Sequence, residues 1–262
     1  AMCLGSASSA MAVSVDVGGF KLPVGPFLGV LSMYENIGVA AGQHVAGLGE
    51  VTQLNGEPIA ALCNGCELTY EFAFTINTRT PQETRLQGGY INFYLGYGTQ
   101  NDFNPYASTG SAADRAAATN GQLFLTLAGH PIDDAGNTFA ALGLGVGSST
   151  PVGFGGGLAD VDFTGSKFGN TAGPGALANT FFDTNGVASS FLGNADVMIG
   201  STVGLLAVPH LGECPTGPEC LAGSTTIRGM ITAIPEPQTW GLMLAGLGVL
   251  GVKARHRRGR VH

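Results

Sequence analysis

Hydrophobic and polar residues alternate strictly through the segment ELTYEFAF, at residues 67–74. Side chains two residues apart lie on the same face of a β-strand, so the alternation predicts a strand with one apolar and one polar face. The two faces comprise Leu68, Tyr70, Phe72 and Phe74 on one side and Glu67, Thr69, Glu71 and Ala73 on the other. We expect the apolar face to pack in a core and the polar face to contact water.

Six further segments have the composition or alternation of strands. They are residues 45–54, 88–97, 121–129, 157–165, 195–208 and 224–234. Clusters of Gly, Asn, Pro and Asp separate them, as is typical of turns between strands. In the body of the chain, only residues 111–121 are predicted as a short helix. Many strands without alternating helices predict an all-β fold, with a β-sandwich or jelly-roll-like body.

A short internal similarity links two of these predicted strands. The sequence Gly-Leu-Ala-Asp-Val at residues 157–161 is echoed by Gly-Asn-Ala-Asp-Val at residues 193–197. No third copy is present, so the similarity does not indicate a solenoid. We expect the two segments to occupy neighbouring positions in one sheet.

Composition and charge narrow the class of protein. The chain has 262 residues, of which 43 are Gly and only 11% are charged, a combination that favours short strands and tight turns. The formal net charge is -7, although five of the eleven Lys and Arg residues lie after residue 252. The rest of the chain is therefore strongly acidic, and an acidic surface repels nucleic acid. We expect no nucleic-acid partner.

The first twelve residues resemble the end of a secretory signal peptide. They are small and apolar, and Ala10-Met11-Ala12 fits the small-x-small rule for signal-peptidase cleavage. An ordinary N-terminal segment is the alternative. We predict that residues 1–12 are the C-terminal part of a signal peptide, that residues 13–232 form the β-sandwich body, and that residues 233–262 form a separate segment.

Four cysteines of the predicted mature chain form two close pairs, Cys63 with Cys66 and Cys214 with Cys220. Asn-Gly between the first two predicts a tight turn that brings their Cα atoms to about 5.5 Å, within disulfide range. An even number of cysteines in an exported chain favours a disulfide within each pair. Zinc and redox sites are the alternatives, but the second spacing is irregular for zinc and a strand pattern follows Cys66.

No catalytic motif is present in the body of the chain. Its three histidines are far apart in sequence, and nucleophile-elbow, zinc-protease and phosphate-loop patterns are missing. We therefore predict no enzymatic activity, no catalytic residues and no required cofactor. A glycan hydrolase would need two carboxylates at a defined separation. The candidate pairs are Glu67 with Glu71 and Asp160 with Asp162.

Calcium is the metal for which the sequence offers the best ligands. Asp183 and Asn185 place side-chain oxygens two residues apart before Gly186, like the first half of a calcium loop. The later acidic ligand of an EF-hand is missing. The same residues fit an ordinary turn in which Asp bonds its own backbone, and we favour that interpretation.

An uncharged, apolar stretch of thirteen residues runs from Trp240 to Val252. As an α-helix it would be about 20 Å long, shorter than the ~30 Å hydrocarbon core of a bilayer. A basic cluster follows it, as is typical of the cytoplasmic end of a membrane helix. The cluster comprises Lys253, Arg255, Arg257, Arg258 and Arg260. We predict a single C-terminal hydrophobic transmembrane helix, with the body outside the cytoplasm.

The triplet Pro235-Glu236-Pro237 precedes this stretch. Triplet, short apolar span and basic cluster, in this order, resemble the PEP-CTERM sorting signal of exported proteins of Gram-negative bacteria. The resemblance covers only residues 233–262. It implies transient anchoring in the inner membrane, recognition by exosortase, a transpeptidase-like membrane enzyme that detaches the tail, and release to the cell surface or extracellular matrix. Extracellular polysaccharide is a candidate partner of such a protein.

Three functions are compatible with this sequence. The first, which we expect, is an exported, non-enzymatic protein of the cell surface or biofilm matrix. The second is a carbohydrate-binding module, calcium-dependent or not, which a row of exposed aromatics would support; Tyr90, Phe93 and Tyr94 are the candidates. The third is a secreted glycan-active hydrolase with the same sorting signal.

Overall fold

The structure, a computed structural model, describes residues 14–37, 40–105, 107, 112–143, 152–163, 174–204 and 220–232. The chain divides into two units, Ala1–Thr232 and Ala233–His262, and all described residues belong to the first. The predicted signal segment, Cys214 and the whole predicted sorting segment lie outside the described residues. Within the described part, none of the helices has the length and apolar character needed to cross a membrane.

Twelve strands and three helices make up the described chain. The strands are β1 (Ser14–Val17), β2 (Phe20–Pro23), β3 (Gly25–Ile37), β4 (His44–Leu54), β5 (Glu57–Pro58), β6 (Cys66–Arg79), β7 (Glu83–Tyr97), β8 (Gln122–His130), β9 (Asn137–Leu142), β10 (Val152–Val161), β11 (Val197–Gly204) and β12 (Cys220–Ile231). The helices are α1 (Ile59–Leu62), α2 (Ala112–Ala118) and α3 (Pro174–Phe182), and a 3-10 turn spans Gly98–Gln100.

Eight antiparallel strands form one sheet that closes on itself. Their order is β3-β4-β6-β7-β8-β10-β11-β12, and β12 pairs again with β3. Strand β9 pairs with both β7 and β10, β5 pairs with β4, and β1 and β2 form a separate hairpin. The all-β prediction is confirmed. The prediction of two packed sheets, as in a β-sandwich or jelly roll, is wrong, because a single sheet surrounds the core.

Long strands with irregular register explain the closure. Strands β3, β6 and β7 contain 13, 14 and 15 residues, longer than the strands of most sandwiches. Their pairing shifts at several points, including Val30/Leu31 and Phe93/Tyr94. Each such bulge bends its strand and increases the local twist, which allows an antiparallel sheet to curl until its edges meet.

Aromatic rings of the inner face lie against glycines of the neighbouring strand. A Cβ added at Gly47 would lie 2.6 Å from the ring of Phe72, and one added at Gly49 would lie 2.8 Å from the ring of Tyr70. The ring of Phe139 likewise lies against Gly155 and Gly157 of β10. A packed interior leaves no room for both a ring and a methyl group, so these positions require glycine for steric reasons.

One end of the closed sheet is filled by aromatic side chains. Phe20 of β2 packs edge-to-face on Phe124, with ring centroids 5.6 Å apart, and Phe182 of α3 packs on Phe27 at 5.2 Å. Helix α2 confirms the helix predicted at residues 111–121. The prediction that it is the only helix in the body is wrong, because α3 contributes Phe182 to this end of the core.

The internal similarity of residues 157–161 and 193–197 corresponds to neighbouring strands, as predicted. Strands β10 and β11 pair antiparallel, with Ala159 opposite Val197. A disulfide joins Cys63 to Cys66, whose Cα atoms are 5.8 Å apart. Gly65 in the intervening turn has a φ of 69°, the left-handed conformation that the Asn-Gly pair predicted.

Candidate functional site

The outer face of β6 carries a buried polar cluster instead of the water-facing surface predicted for it. Glu67, Thr69 and Glu71 are all buried, because the chain between β7 and β8 folds back over them. Phe103 packs there against Leu48 and Ala118. The alternating pattern defined the strand correctly but gave no sign that a later segment covers its polar side.

Glu71 is the centre of this cluster. Its Oε2 accepts a hydrogen bond from the Arg115 guanidinium at 2.6 Å, and its Oε1 accepts one from the Tyr94 hydroxyl at 2.9 Å. The hydrogen bond to Glu71 raises the pKa of Arg115. Glu71 is 6% exposed, so both carboxylate oxygens are committed to protein partners and do not face solvent.

Glu67 lies on the same face, four residues earlier. Its Oε2 accepts a hydrogen bond from the Phe103 backbone N–H at 3.1 Å, whereas its Oε1 is buried without a partner. Burial raises the pKa of Glu67 to about 7, and the nearby Glu50 carboxylate adds to this, against the opposing effect of the Phe103 N–H. Glu67 and Glu71 therefore occupy different environments on the same face of β6: Glu67 has one buried oxygen without a partner, whereas Glu71 is ion-paired.

Two further polar side chains extend the cluster across the sheet. Asn92 of β7 lies opposite Glu71 on one side and Thr126 of β8 on the other. Asn92 is 0% exposed, and neither its amide atoms nor the Thr126 hydroxyl has a hydrogen-bond partner in the described chain. The structure thus brings the predicted pair Glu67 and Glu71 onto one face, but it buries them among protein groups.

A second polar cluster connects β8, β10 and the loop before β11. His130 Nδ1 lies 2.8 Å from Asp160 Oδ2, and His130 Nε2 lies 3.1 Å from the Phe191 carbonyl oxygen. Burial lowers the pKa of His130, but the two acceptors have the stronger effect and the pKa is raised overall. Both ring nitrogens of His130 lie within hydrogen-bond distance of protein acceptors, so the imidazole links β8 to β10 and to the loop before β11.

The Asp183–Gly186 segment, which follows α3, is held in place by a carboxylate that sequence reasoning did not select. Asp196 Oδ1 accepts hydrogen bonds from the backbone N–H groups of Thr184 at 2.6 Å and Asn185 at 2.7 Å. Its Oδ2 accepts one from Val161 at 2.8 Å. Asn185 has a φ of 48°, as turn residues of this type allow. The repeated Ala-Asp-Val motif was the signal that could have identified Asp196.

Other carboxylates lie near this segment. Burial raises the pKa of Asp183, and the charges of Asp196 and Asp160 raise it further. Asp162 continues β10 beside Thr126, to whose carbonyl its N–H donates at 2.9 Å. Across the described ranges, no three His, Cys, Asp or Glu side chains are grouped so that they could hold a metal ion.

The predicted sorting and membrane residues lie in the C-terminal segment, outside the described residues, and there the evidence is a match to a known class of sorting signal. Residues 233–258 match the family described as the PEP-CTERM protein-sorting motif. The resemblance drawn from the sequence is therefore confirmed for this segment: the chain carries a PEP-CTERM sorting motif at residues 233–258, which supports an exported protein sorted through that signal. Neither the curated proteins nor the solved structures include a significant match to the chain.

Replacing Glu67 by Gln is expected to stabilise the body at alkaline pH. Because the pKa of Glu67 is raised from 4.5 to about 7 on folding, ionisation opposes folding above pH 4.5, and the penalty is complete above pH 7. Gln keeps an oxygen for the Phe103 N–H but never ionises. Urea unfolding should show a gain of about 1–2 kcal/mol at pH 8 and almost none at pH 4.

Exposed Glu57 provides the control, since Glu57→Gln should leave the stability difference between pH 4 and pH 8 as in the wild type. An equal gain from Glu67→Gln at both pH values would show that the raised pKa is not its cause.

Proposed function

We propose that this protein is an exported, non-enzymatic component of the cell surface or extracellular matrix, whose tail is processed by exosortase. The match of residues 233–258 to the sorting motif carries the proposal. The triplet at residues 235–237 would be the recognition element, and Trp240 and Val252 would bound the membrane segment. The basic residues from Lys253 to Arg258 would hold its end on the cytoplasmic side.

The candidate catalytic groups of the body have protein partners, which supports a non-enzymatic role. Glu71 is bound by Arg115 and Tyr94, and both nitrogens of His130 have protein acceptors. Glu67 lies under Phe103. A catalytic acid or base has to reach substrate, whereas these groups connect strands to the segments that cover them.

A carbohydrate-binding module is the second candidate, and an exposed apolar surface favours it. Phe154 of β10 is 61% exposed and lies opposite Leu142 of β9 and Thr202 of β11, with exposed Val152 two residues before it. An exposed ring with the Thr202 hydroxyl next to it can stack on a sugar. The row predicted for this role does not form, because Phe93 is in the core and Tyr94 bonds Glu71.

Mass spectrometry of the protein from its native host tests the sorting proposal. The mature chain should lack the residues after the Pro-Glu-Pro region and carry a modified C-terminus. A variant with Pro235, Glu236 and Pro237 changed to Ala should keep its full tail and remain in the membrane fraction. An intact basic tail on the wild-type protein in the extracellular fraction would contradict processing.

Polysaccharide affinity electrophoresis separates the two candidate roles of the body. Retardation that is lost in Phe154→Ala but kept in Leu192→Ala would favour the binding module, since Leu192 is 70% exposed elsewhere in the fold. Repeating the experiment with calcium or a chelator would test the Asp183–Asn185 turn. Release of reducing ends from the polysaccharide would contradict a non-enzymatic body.

A further inference from the structure

The closed sheet contains an internal cavity of about 50 Å³. Side chains from seven strands line it, and most are apolar. Its aromatic lining comprises Tyr70, Phe72, Phe74, Phe93 and Phe139. The hydroxyl of Tyr70 donates to the Ser32 carbonyl oxygen at 2.6 Å, so this hydroxyl is satisfied within the sheet. The cavity wall is therefore formed mainly by rings and aliphatic groups.

Glu35 is the one carboxylate among the described residues that line this cavity. It lies on β3 in line with Leu31 and Met33, two residues before the strand ends at Ile37, and its side chain is half-buried. Within the described chain it makes no hydrogen bond or ion pair. Burial alone raises the pKa of Glu35 to about 7, as expected for a carboxyl without a compensating charge.

We propose that this cavity binds a small alkylammonium ion, with Glu35 as its counter-ion and the surrounding rings as its walls. A cation near aromatic faces is attracted by the ring quadrupoles, and the attraction grows when water is excluded. A carboxylate that has no partner within the described chain adds the charge partner that such a ligand requires.

The size of the cavity sets the size of the ligand. A cavity needs about 10–15 Å³ to hold one water molecule, so this cavity has room for about four atoms of that size. This excludes a lipid chain or a sugar but admits a four-atom alkylammonium ion. The opposite end of the sheet is closed by Phe20, Phe124 and Phe182, so entry would be from the Glu35 end.

Isothermal titration with isopropylammonium and with 2-propanol, its neutral isostere, tests the proposal. The wild type should bind isopropylammonium at least tenfold more tightly than 2-propanol. Affinity should rise between pH 6 and pH 8, because Glu35 and Tyr70 are the titratable groups among the described lining residues and only Glu35 titrates there. Glu35→Gln should reduce the affinity at least tenfold.

Glu50→Gln is the matched control, because Glu50 also has a raised pKa but lies on β4 outside the cavity lining. It should bind isopropylammonium as the wild type does. If the two ligands bind equally, if neither binds at millimolar concentration, or if Glu35→Gln binds like the wild type, the proposal is wrong. Far-UV and near-UV circular dichroism of each variant establishes that the fold is intact. These outcomes do not depend on the sorting signal.

Discussion

Replacing Gly49 by Ala is expected to destabilise the body by at least about 3 kcal/mol. An added Cβ would lie 2.0 Å from the Ser32 carbonyl oxygen and 2.8 Å from the Tyr70 ring. Neither neighbour can move freely, because the Tyr70 hydroxyl is bonded to that same carbonyl oxygen. Relief would require β3 and β4 to separate. Urea unfolding followed by near-UV circular dichroism measures the loss.

The three consecutive glycines of β10 provide an internal control. A Cβ at Gly155 or Gly157 would lie 2.4 or 2.6 Å from the Phe139 ring, whereas one at Gly156 would meet only the Ile199 carbonyl oxygen at 3.4 Å. We expect Gly156→Ala to change the free energy of unfolding by less than about 0.5 kcal/mol. Equal losses at all three positions would show that backbone conformation, not ring packing, requires the glycines.

Asp196→Ala is expected to cost about 3 kcal/mol, the second largest effect. This buried carboxylate accepts hydrogen bonds from the backbone N–H groups of Val161, Thr184 and Asn185. Removing it leaves three donors without their acceptor and releases the Asp183–Gly186 segment from the edge of β10. Thermal unfolding and amide hydrogen exchange at these three residues would report the loss together.

The other aspartate of the repeated motif is the control for this change. Asp160 is nearly half exposed, and its contact in the described chain is the ion pair with His130, so Asp160→Ala should cost about 1 kcal/mol or less. Asp196→Asn should give an intermediate result, since the amide keeps one acceptor oxygen. If Asp196→Ala and Asp160→Ala lower the free energy of unfolding equally, the backbone hydrogen bonds that Asp196 accepts are not the cause of the loss.

Local patterns in the sequence predicted local structure well. The alternation from Glu67 to Phe74 identified β6, and the Asn-Gly pair between Cys63 and Cys66 identified the disulfide-linked turn. Strand β3 was missed although it has 13 residues, because apolar residues such as Leu28 and Val30 also occupy its outward positions and hide the alternation. Closure of the sheet depends on pairing β3 with β12 near the other end of the body, and no local pattern contains that information.

In the candidate site, too, the sequence predicted local features but not those that depend on distant segments. The sorting signal was recognised from a contiguous stretch of sequence, and the family match at residues 233–258 confirms it. The environment of Glu71 depends on Arg115, 44 residues later, and that of Glu67 on the backbone of Phe103. Glu35 was missed because its strand was missed. Distant segments determine which polar groups are buried, so this burial could not be predicted from the sequence of the strand that carries each group.

Strand β12 gives the body an unusual order of assembly. It ends at Ile231, two residues before the matched sorting segment begins, and it fills the gap between β11 and β3. During export from the N-terminus, the first and last long strands can meet only after nearly the whole body has been translocated. Such non-local pairing is slow. The sorting segment immediately follows, so completion of the fold and arrival of the processing signal at the membrane are coupled along the chain.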